Sequence, residues 1–338
     1  MPAVSILMPC YNVTTTVNEA LASLVQQTFT DYEIILVDDG STDGTLEHLM
    51  EWITRDPRII VLANPHMGII PALNAGLDAC HSPIIARMDA DDLSAPNRLE
   101  RQVEMLESHP ELALVTCRVR GFPEENLGAE FRAYIHWLNS LQTGEDIANG
   151  MFLKSPLAHP SVAYRLDWVE HVGGYQDHGW AEDYDLWLRL SLAGAKFGKV
   201  AEVLLEWRDH PNRLTHTDGR YSPSSDLRIK AHYLATGPLS KSDEVILWGS
   251  GWSSYPLAMS LHGHGYRLSR VADSADFQHT QDMQSVPMIS QFDFHKKIKS
   301  PRSAVVLIAE NNTASRVNII QQLEAMQLQQ GIDWWLVG

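Results

Sequence analysis

Cysteine is scarce in this chain. Cys10, Cys80 and Cys117 are the only three among 338 residues, and no two have metal-ligand spacing. That excludes a disulfide framework and a cysteine-bound zinc, and predicts reduced thiols in a reducing compartment. Long apolar runs are missing too, since none approaches the ~20 residues that cross a bilayer. The amino terminus, Met1-Pro2-Ala3-Val4-Ser5, lacks a basic region followed by an apolar core, so no secretory signal is expected. A cytoplasmic protein is expected, with peripheral association at the inner face of a membrane left open. Positive charge is also short: 26 basic residues face 42 acidic ones, a formal charge of −16. Residues 241–338 hold 8 basic and 9 acidic residues, which leaves −15 on the first 240. Such a surface argues against nucleic acid and against broad contact with anionic lipid. No repeat or low-complexity segment is found.

What is present is ordinary in bulk and informative in pattern. An apolar fraction of 44% with 20% charged residues fits a globular protein, and the length favours two domains. Over the first ~120 residues, strand and helix signals alternate at the spacing of a doubly wound sheet. Val4 to Met8, Glu33 to Val37, Ile59 to Leu62, Ile84 to Met88 and Leu112 to Thr116 read as strands. Thr16-x-x-Glu19 matches a capping box, and Ser41, Thr42 and Asp43 offer capping oxygens to a second helix. Pro96 suits the first turn of a later helix. Residues 120–235 are irregular and rich in aromatics, an acceptor-side elaboration rather than a separate core. Gly237-Pro238-Leu239-Ser240 reads as a linker, after which βα patterning restarts.

Two apolar runs end in carboxylates. Glu33-Ile34-Ile35-Leu36-Val37 leads into Asp38-Asp39-Gly40-Ser41, and Ile84-Ile85-Ala86-Arg87-Met88 leads into Asp89-Ala90-Asp91-Asp92. Ligands of open α/β sheets bind at that edge. A carboxylate at a strand end accepts a base imide N–H or a ribose hydroxyl, which favours Asp39 as a nucleoside contact over simple helix capping. Aspartates this close repel unless something neutralises them, and Asp-x-Asp suits Mg2+ or Mn2+ carrying phosphate oxygens. Asp91 is the firmest metal ligand; Asp89 shares the ion or contacts sugar, and Asp92 is an exchangeable neighbour. A third cluster, Glu182-Asp183, opens a helix in Trp180-Ala181-Glu182-Asp183-Tyr184-Asp185-Leu186-Trp187-Leu188-Arg189. Capping by the helix dipole explains it equally well when it is taken alone. Trp180 and Tyr184 offer flat faces for sugars, or simply fill the core.

Together with Ser5-Ile6-Leu7-Met8-Pro9-Cys10-Tyr11-Asn12, these motifs resemble, in order and spacing, the family-two inverting glycosyltransferases of the GT-A fold, over about residues 3–215. The resemblance implies an α/β doubly wound mixed sheet of the nucleotide-diphospho-sugar transferase type over residues 1–236, with a nucleotide-binding half to about 120. It implies that Asp39, beside Asp38, binds uracil, and that Pro9 and Tyr11, followed by Asn12, line the nucleoside pocket. Asp89 and Asp91 form the Asp-x-Asp motif, Asp183 is the general base, and Glu182 binds acceptor or donor sugar. His210, in Trp207-Arg208-Asp209-His210-Pro211, sits where many relatives place a histidine near metal and diphosphate. One departure stands out: Ala72-Leu73-Asn74 has leucine where many relatives have arginine. Asn74 remains as a contact, and Arg87, Arg98, Arg208 or Arg213 is left to supply the positive charge. The expected partners are a nucleotide-sugar donor, a UDP-sugar above others, and a glycan or lipid-linked acceptor. Homo-oligomer formation is left open.

Residues 241–338 resemble a Rossmann-like domain. Gly249-x-Gly251-x-x-Ser254 keeps two of three fingerprint glycines, and Asp273 stands at the spacing of a ribose-binding acid. An architectural or assembly role is preferred to cofactor binding. Arg208 to Ser225 is a candidate lid, or a plain surface loop. Two other classes are weighed. A nucleotidyltransferase would carry a glycine-rich basic loop where Pro9-Cys10-Tyr11-Asn12 stands. A lapsed sugar-nucleotide or carbohydrate-binding protein would not need both Asp91 and Asp183.

Overall fold

The computed structural model describes residues 1–242, 244–249, 254–271, 286–289, 294, 298, 304–310 and 312–337. The chain divides into two compact units, one of residues 1–147 and 156–217, the other of 148–155 and 218–338. The helix Pro223–Thr236 groups with the second.

The first unit is built on strands β1 (Val4–Cys10), β2 (Tyr32–Asp39), β3 (Ile59–Asn64), β4 (Ile84–Arg87), β5 (Leu93–Ser94), β6 (Leu112–Phe122), β7 (Ala163–Arg165) and β8 (Lys196–Arg208). They form one mixed sheet in the order β3-β2-β1-β4-β7-β6-β8-β5. β1 pairs in parallel with β2 and β4, whereas β7 runs antiparallel to β4 and β6. The apolar runs of β1, β2 and β4 are buried throughout apart from Pro9, as central strands covered on both faces require. Helices α1 (Val17–Val25), α2 (Thr45–Arg55), α3 (Ile69–Ala79) and α4 (Arg98–Ser108) supply the cover. Pro9 is tolerated in a central strand for a local reason. Leu7 is the last β1 residue paired with β4, so the missing N–H of Pro9 falls beyond the β4 end.

Residues 120–235 prove more regular than their pattern suggests. β6 runs on to Phe122, and β8 spans 13 residues beside it. Gly198, Lys199 and Glu202 interrupt the apolar alternation of β8, which hid it. The capping box is absent as well. Thr16 is the N-cap of α1 without a side-chain cap bond; its hydroxyl donates to the Val13 carbonyl, and Glu19 reaches Arg208 at 2.7 Å. Pro96 stands just outside α4, whose N-cap is Asn97. A buried glutamine does the work of position there: Gln27 donates to Ser94 Oγ and the Ala95 carbonyl and accepts from Leu99 N–H, so α1 holds β5 and the start of α4.

The second unit is a smaller Rossmann-like α/β fold. Its parallel sheet has β9 (Glu244–Trp248) flanked by β10 (Arg267–Val271) and β12 (Ala304–Ile308), with β11 (Met288–Ile289) and β13 (Trp334–Leu336) outside. Ile246, Trp248, Phe294, Val306 and Ile308 are among its core. Gly249 has φ +133, and a Cβ there would lie 2.4 Å from the Ala309 carbonyl oxygen. Gly251 and Asp273 lie outside the described residues. Among the described residues no helix is long and apolar enough to cross a membrane.

The turn after β2 depends on Gly40. Its φ is +70, and a Cβ there would stand 2.5 Å from the His66 backbone nitrogen. Gly40→Ala is therefore expected to destabilise the protein by about 1–3 kcal/mol, read as a lower urea midpoint at constant m-value.

Candidate active site

The strand order turns from leftward to rightward between β1 and β4, and the carboxyl ends of β1, β2 and β4 open together there. This is the switch point at which α/β sheets bind ligands. On the β2 side, Asp39 is buried and braces the loop after β3. Its Oδ1 accepts the Met67 N–H and its Oδ2 the Gly68 N–H, both at 2.9 Å. His66 Nδ1 lies 2.8 Å from Asp39 Oδ2 and 3.0 Å from the Asp39 carbonyl oxygen. Both are acceptors, so Nδ1 carries the proton. The His66 ring stacks on Tyr11, with centroids 4.1 Å apart and planes within 14°. Asp38 accepts Ser41 N–H through Oδ2, while its buried Oδ1 has no partner.

Asn12, in the left-handed region at φ 51, staples two loops: its Oδ1 accepts Thr42 N–H and its own N–H donates to Ser41 Oγ. Asp43 accepts from both the amide and hydroxyl of Thr45. The N-cap of α2 is Gly44, so Asp43 acts one residue upstream of the cap itself.

On the β4 side, the acidic turn is held from several directions. Arg87, only 1% exposed, pairs with Asp89 at 2.5 Å and also donates to the Met88 carbonyl. His210 Nε2 lies 2.8 Å from Asp91 Oδ2. Arg208 uses its backbone N–H on Asp92 Oδ1 and its Nε on the Asp91 carbonyl. Arg98, fully buried on α4, donates to the carbonyls of Arg87 and Pro160. Burial raises Asp89 above the ordinary carboxylate range against the pull of Arg87. Burial and then Asp91 push Asp92 well above that range.

Asp89, Asp91 and Asp92 offer oxygens that lie within 4.8 Å of one another, and Asp92 Oδ2 is buried without a partner. Hard oxygen donors with an unmet carboxylate oxygen fit a divalent cation such as Mg2+ or Mn2+.

The third wall is the start of α5 (Glu182–Leu192). Asp183 Oδ1 accepts the Tyr184 N–H at 2.6 Å. Burial, followed by the adjacent Glu182 carboxylate, raises Asp183 to about 7, and Asp89 adds to the effect while Arg87 opposes it. The buried Glu182 stands 3.9 Å from His159, whose Nε2 meets Tyr175 OH at 2.8 Å. Burial holds His159 well below the usual histidine range. Asn74 grips the Tyr175 backbone, its Nδ2 donating to the carbonyl and its Oδ1 accepting the N–H. Asp185 is completely buried and accepts from Trp180 Nε1, His178 Nδ1 and Arg189 Nε.

The structure thus gathers Pro9, Tyr11, Asp38, Asp39, Arg87, Asp89, Asp91 and His210 at one strand edge. Asp183 feels the charges of Arg87 and Asp89, and Glu182 acts on Arg87. Asn12, Asn74 and Arg208 are there too, each with main-chain groups or Glu19 as partners. Sequence reasoning missed His66, His159 and the roles of Arg98 and Asp185. A histidine after a strand and an aspartate one turn into a helix are too common to stand out. The arginine at the first position of an apolar-striped helix was the one available signal.

A model of glycosyl transferase family 2 matches residues 5–173, half of the chain. Over 207 residues the chain is 37% identical to the amylovoran biosynthesis glycosyltransferase AmsE of Erwinia amylovora, covering 60% of this chain and 75% of that protein. It is 26% identical over 248 residues to the UDP-Gal:alpha-D-GlcNAc-diphosphoundecaprenol beta-1,3-galactosyltransferase of Escherichia coli, covering 72% and 88%. Among solved structures, the mannosyltransferase PcManGT from Pyrobaculum calidifontis in complex with GDP-Man and Mn2+ matches with a TM-score of 0.52. At 20% identity, with 69% of this chain and 62% of that one covered, the likeness is of fold alone, the GT-A arrangement.

Removing Asp185 takes a buried carboxylate from Arg189, Trp180 and His178. Asp185→Ala is expected to lose about 3–5 kcal/mol of stability, the scale for breaking a buried ion pair, measured by chemical denaturation.

Proposed function

The chain belongs to glycosyl transferase family 2 and is a glycosyltransferase, and on that premise we propose a specific reaction. It moves a sugar from a UDP-sugar to a hydroxyl of a glycan or lipid-linked acceptor, with inversion at the anomeric carbon. The observation that carries this reading is Asp183, a carboxyl raised to about 7 by burial and by the charges of Glu182 and Asp89. A base that titrates near neutrality accepts a hydroxyl proton far more readily than an ordinary aspartate. Tyr184 N–H occupies Oδ1, which leaves Oδ2 to take that proton as the acceptor oxygen bonds to the anomeric carbon. The bond from that carbon to the donor diphosphate breaks in the same displacement, so no side chain forms a covalent link. Retention would demand a second, nucleophilic step.

Asp39 and Tyr11, with Pro9, receive the base, and Asp39 also fixes the loop that carries His66. Asp91, Asp89 and His210 would hold a manganese or magnesium ion, which when bound neutralises charge on the departing diphosphate. Glu182 and Trp180 meet the sugars. Support for a UDP donor and a lipid-diphosphate acceptor comes from the Escherichia coli relative, and for manganese from the Pyrobaculum calidifontis structure. In this reading residues 1–236 carry the chemistry, residues 241–338 serve assembly, and a lipid-linked acceptor brings the enzyme to the inner face of the membrane.

The direct test is a panel of UDP- and GDP-sugars with manganese and diphospholipid-linked acceptors, with products identified by mass. Absence of product from every donor, with nucleotide still bound, would favour a lapsed binding protein. Asp183→Asn should lower kcat by about 10²–10⁴-fold and leave the Kd for UDP unchanged. The active form is the carboxylate, so log kcat of the wild type should rise with unit slope up to about pH 7 and level off above it; the variant should lose that limb. Asp91→Ala should abolish the manganese-dependent part of UDP affinity in calorimetry. Full activity in excess chelator would remove the metal from the mechanism.

A further inference from the structure

Asp38, Asp39, Asp89, Asp91, Asp92, Glu182 and Asp183 make the cleft strongly negative, and a donor diphosphate adds to that. Beside the metal, an arginine on the chain is suited to meet that group, and Arg87, Arg98, Arg208 and Arg213 are the candidates. The guanidinium groups of the first three are engaged. Arg87 is held by the Asp89 carboxylate and the Met88 carbonyl. Arg98 is sealed in the core on two main-chain carbonyls. Arg208 spans the Asp91 carbonyl and Glu19.

Arg213 differs. The one polar bond of its guanidinium among the described residues is a long one, Nη1 to Asp209 Oδ1 at 3.3 Å, and His216 shares that oxygen at 3.2 Å. The guanidinium lies 4.7 Å from the Trp207 ring and 4.8 Å from the Phe131 ring. Aromatic faces on a guanidinium fix its plane without using its N–H donors. Its side chain is 10% exposed, and none of its nitrogens is buried without a partner, so the unbonded edge is open. Its backbone N–H donates to the His210 carbonyl at 3.2 Å, which sets Arg213 one turn from the histidine on Asp91, and its charge bears on Asp89 and Asp92.

We propose that Arg213 binds the diphosphate of the donor, its open N–H edge donating to non-bridging phosphate oxygens while Trp207 and Phe131 hold its plane. This rests on the nucleotide-sugar reading above. Arginine suits the task because two parallel donors match two phosphate oxygens, and little side-chain freedom is left to lose on binding.

Calorimetry on the full chain, with manganese and again with chelator, separates the outcomes. The probes are UDP, GDP, uridine and inorganic diphosphate. Arg213→Ala should weaken UDP and diphosphate by about 10- to 100-fold, the range for charge-assisted bonds, in both conditions, with uridine unchanged. Arg213→Lys should fold as wild type and recover only part of the UDP affinity. Undiminished UDP binding by Arg213→Ala overturns the assignment, as does an equal loss of UDP and uridine, which would mark a packing role. Should Arg213→Ala not fold, wild-type UDP affinity in Arg213→Lys overturns the paired-donor contact. A wild-type chain that binds neither UDP nor GDP overturns the parent reading, and this one with it.

Discussion

Crowding of like charge at one sheet edge is the constraint on which the rest of this structure depends. Each carboxylate there is answered by a different device. Asp39 has two backbone amides and a histidine, Asp89 has a buried guanidinium, Asp91 has His210, and Asp185 has an indole, a histidine and an arginine. Two are answered least. Asp92 keeps an unmet oxygen, and Asp183 sits beside another acid. A site that neutralises most of its charges and leaves those two is poised for a cation at one end and a proton at the other.

The neutralising groups come from far along the chain. Arg87 precedes the acid it pairs with by two residues, whereas Arg98, His210 and Arg208 arrive from α4 and the end of β8. Only the fold brings them together, and the fold does so because β8 and β5 extend the sheet past the central strands. Aromatic residues of the middle segment, Phe131, Tyr134 and Trp207, pack as a cluster on this side. They provide a rigid, low-dielectric wall where a polar loop would have been mobile and wet.

The nucleotide half was legible because its strands are unbroken β-branched runs, and because acids at strand ends have few structural uses. Placement at the switch point followed from the same alternation. The middle segment was opaque for an equally physical reason. β8 carries charged residues and a glycine along its length, and β7 is three residues long, so neither has a period to read. Within the site, residue types were easier to see than partners. Glu19 and Asn74 occupy positions that pattern alone assigns to a cap and to a ligand. Their side chains choose Arg208 and the Tyr175 backbone, neighbours that sequence distance hides.

The acidic turn also has a mechanical consequence. β4 and β5 are neighbours in sequence, separated by residues 88–92 alone, yet the sheet places β7, β6 and β8 between them. Laid flat at ~4.8 Å per strand, four steps would separate them by roughly 19 Å. Six residue-to-residue steps span at most about 21 Å when drawn straight, and this stretch bends back on itself through the Asp92 N–H to Asp89 carbonyl bond. The sheet therefore has to curl until its far margin approaches its middle, and the aspartates are the chord across that arc. The same five residues that crowd the acids therefore tie the margin of the sheet to its middle, so their length is fixed by the curl as much as by the site.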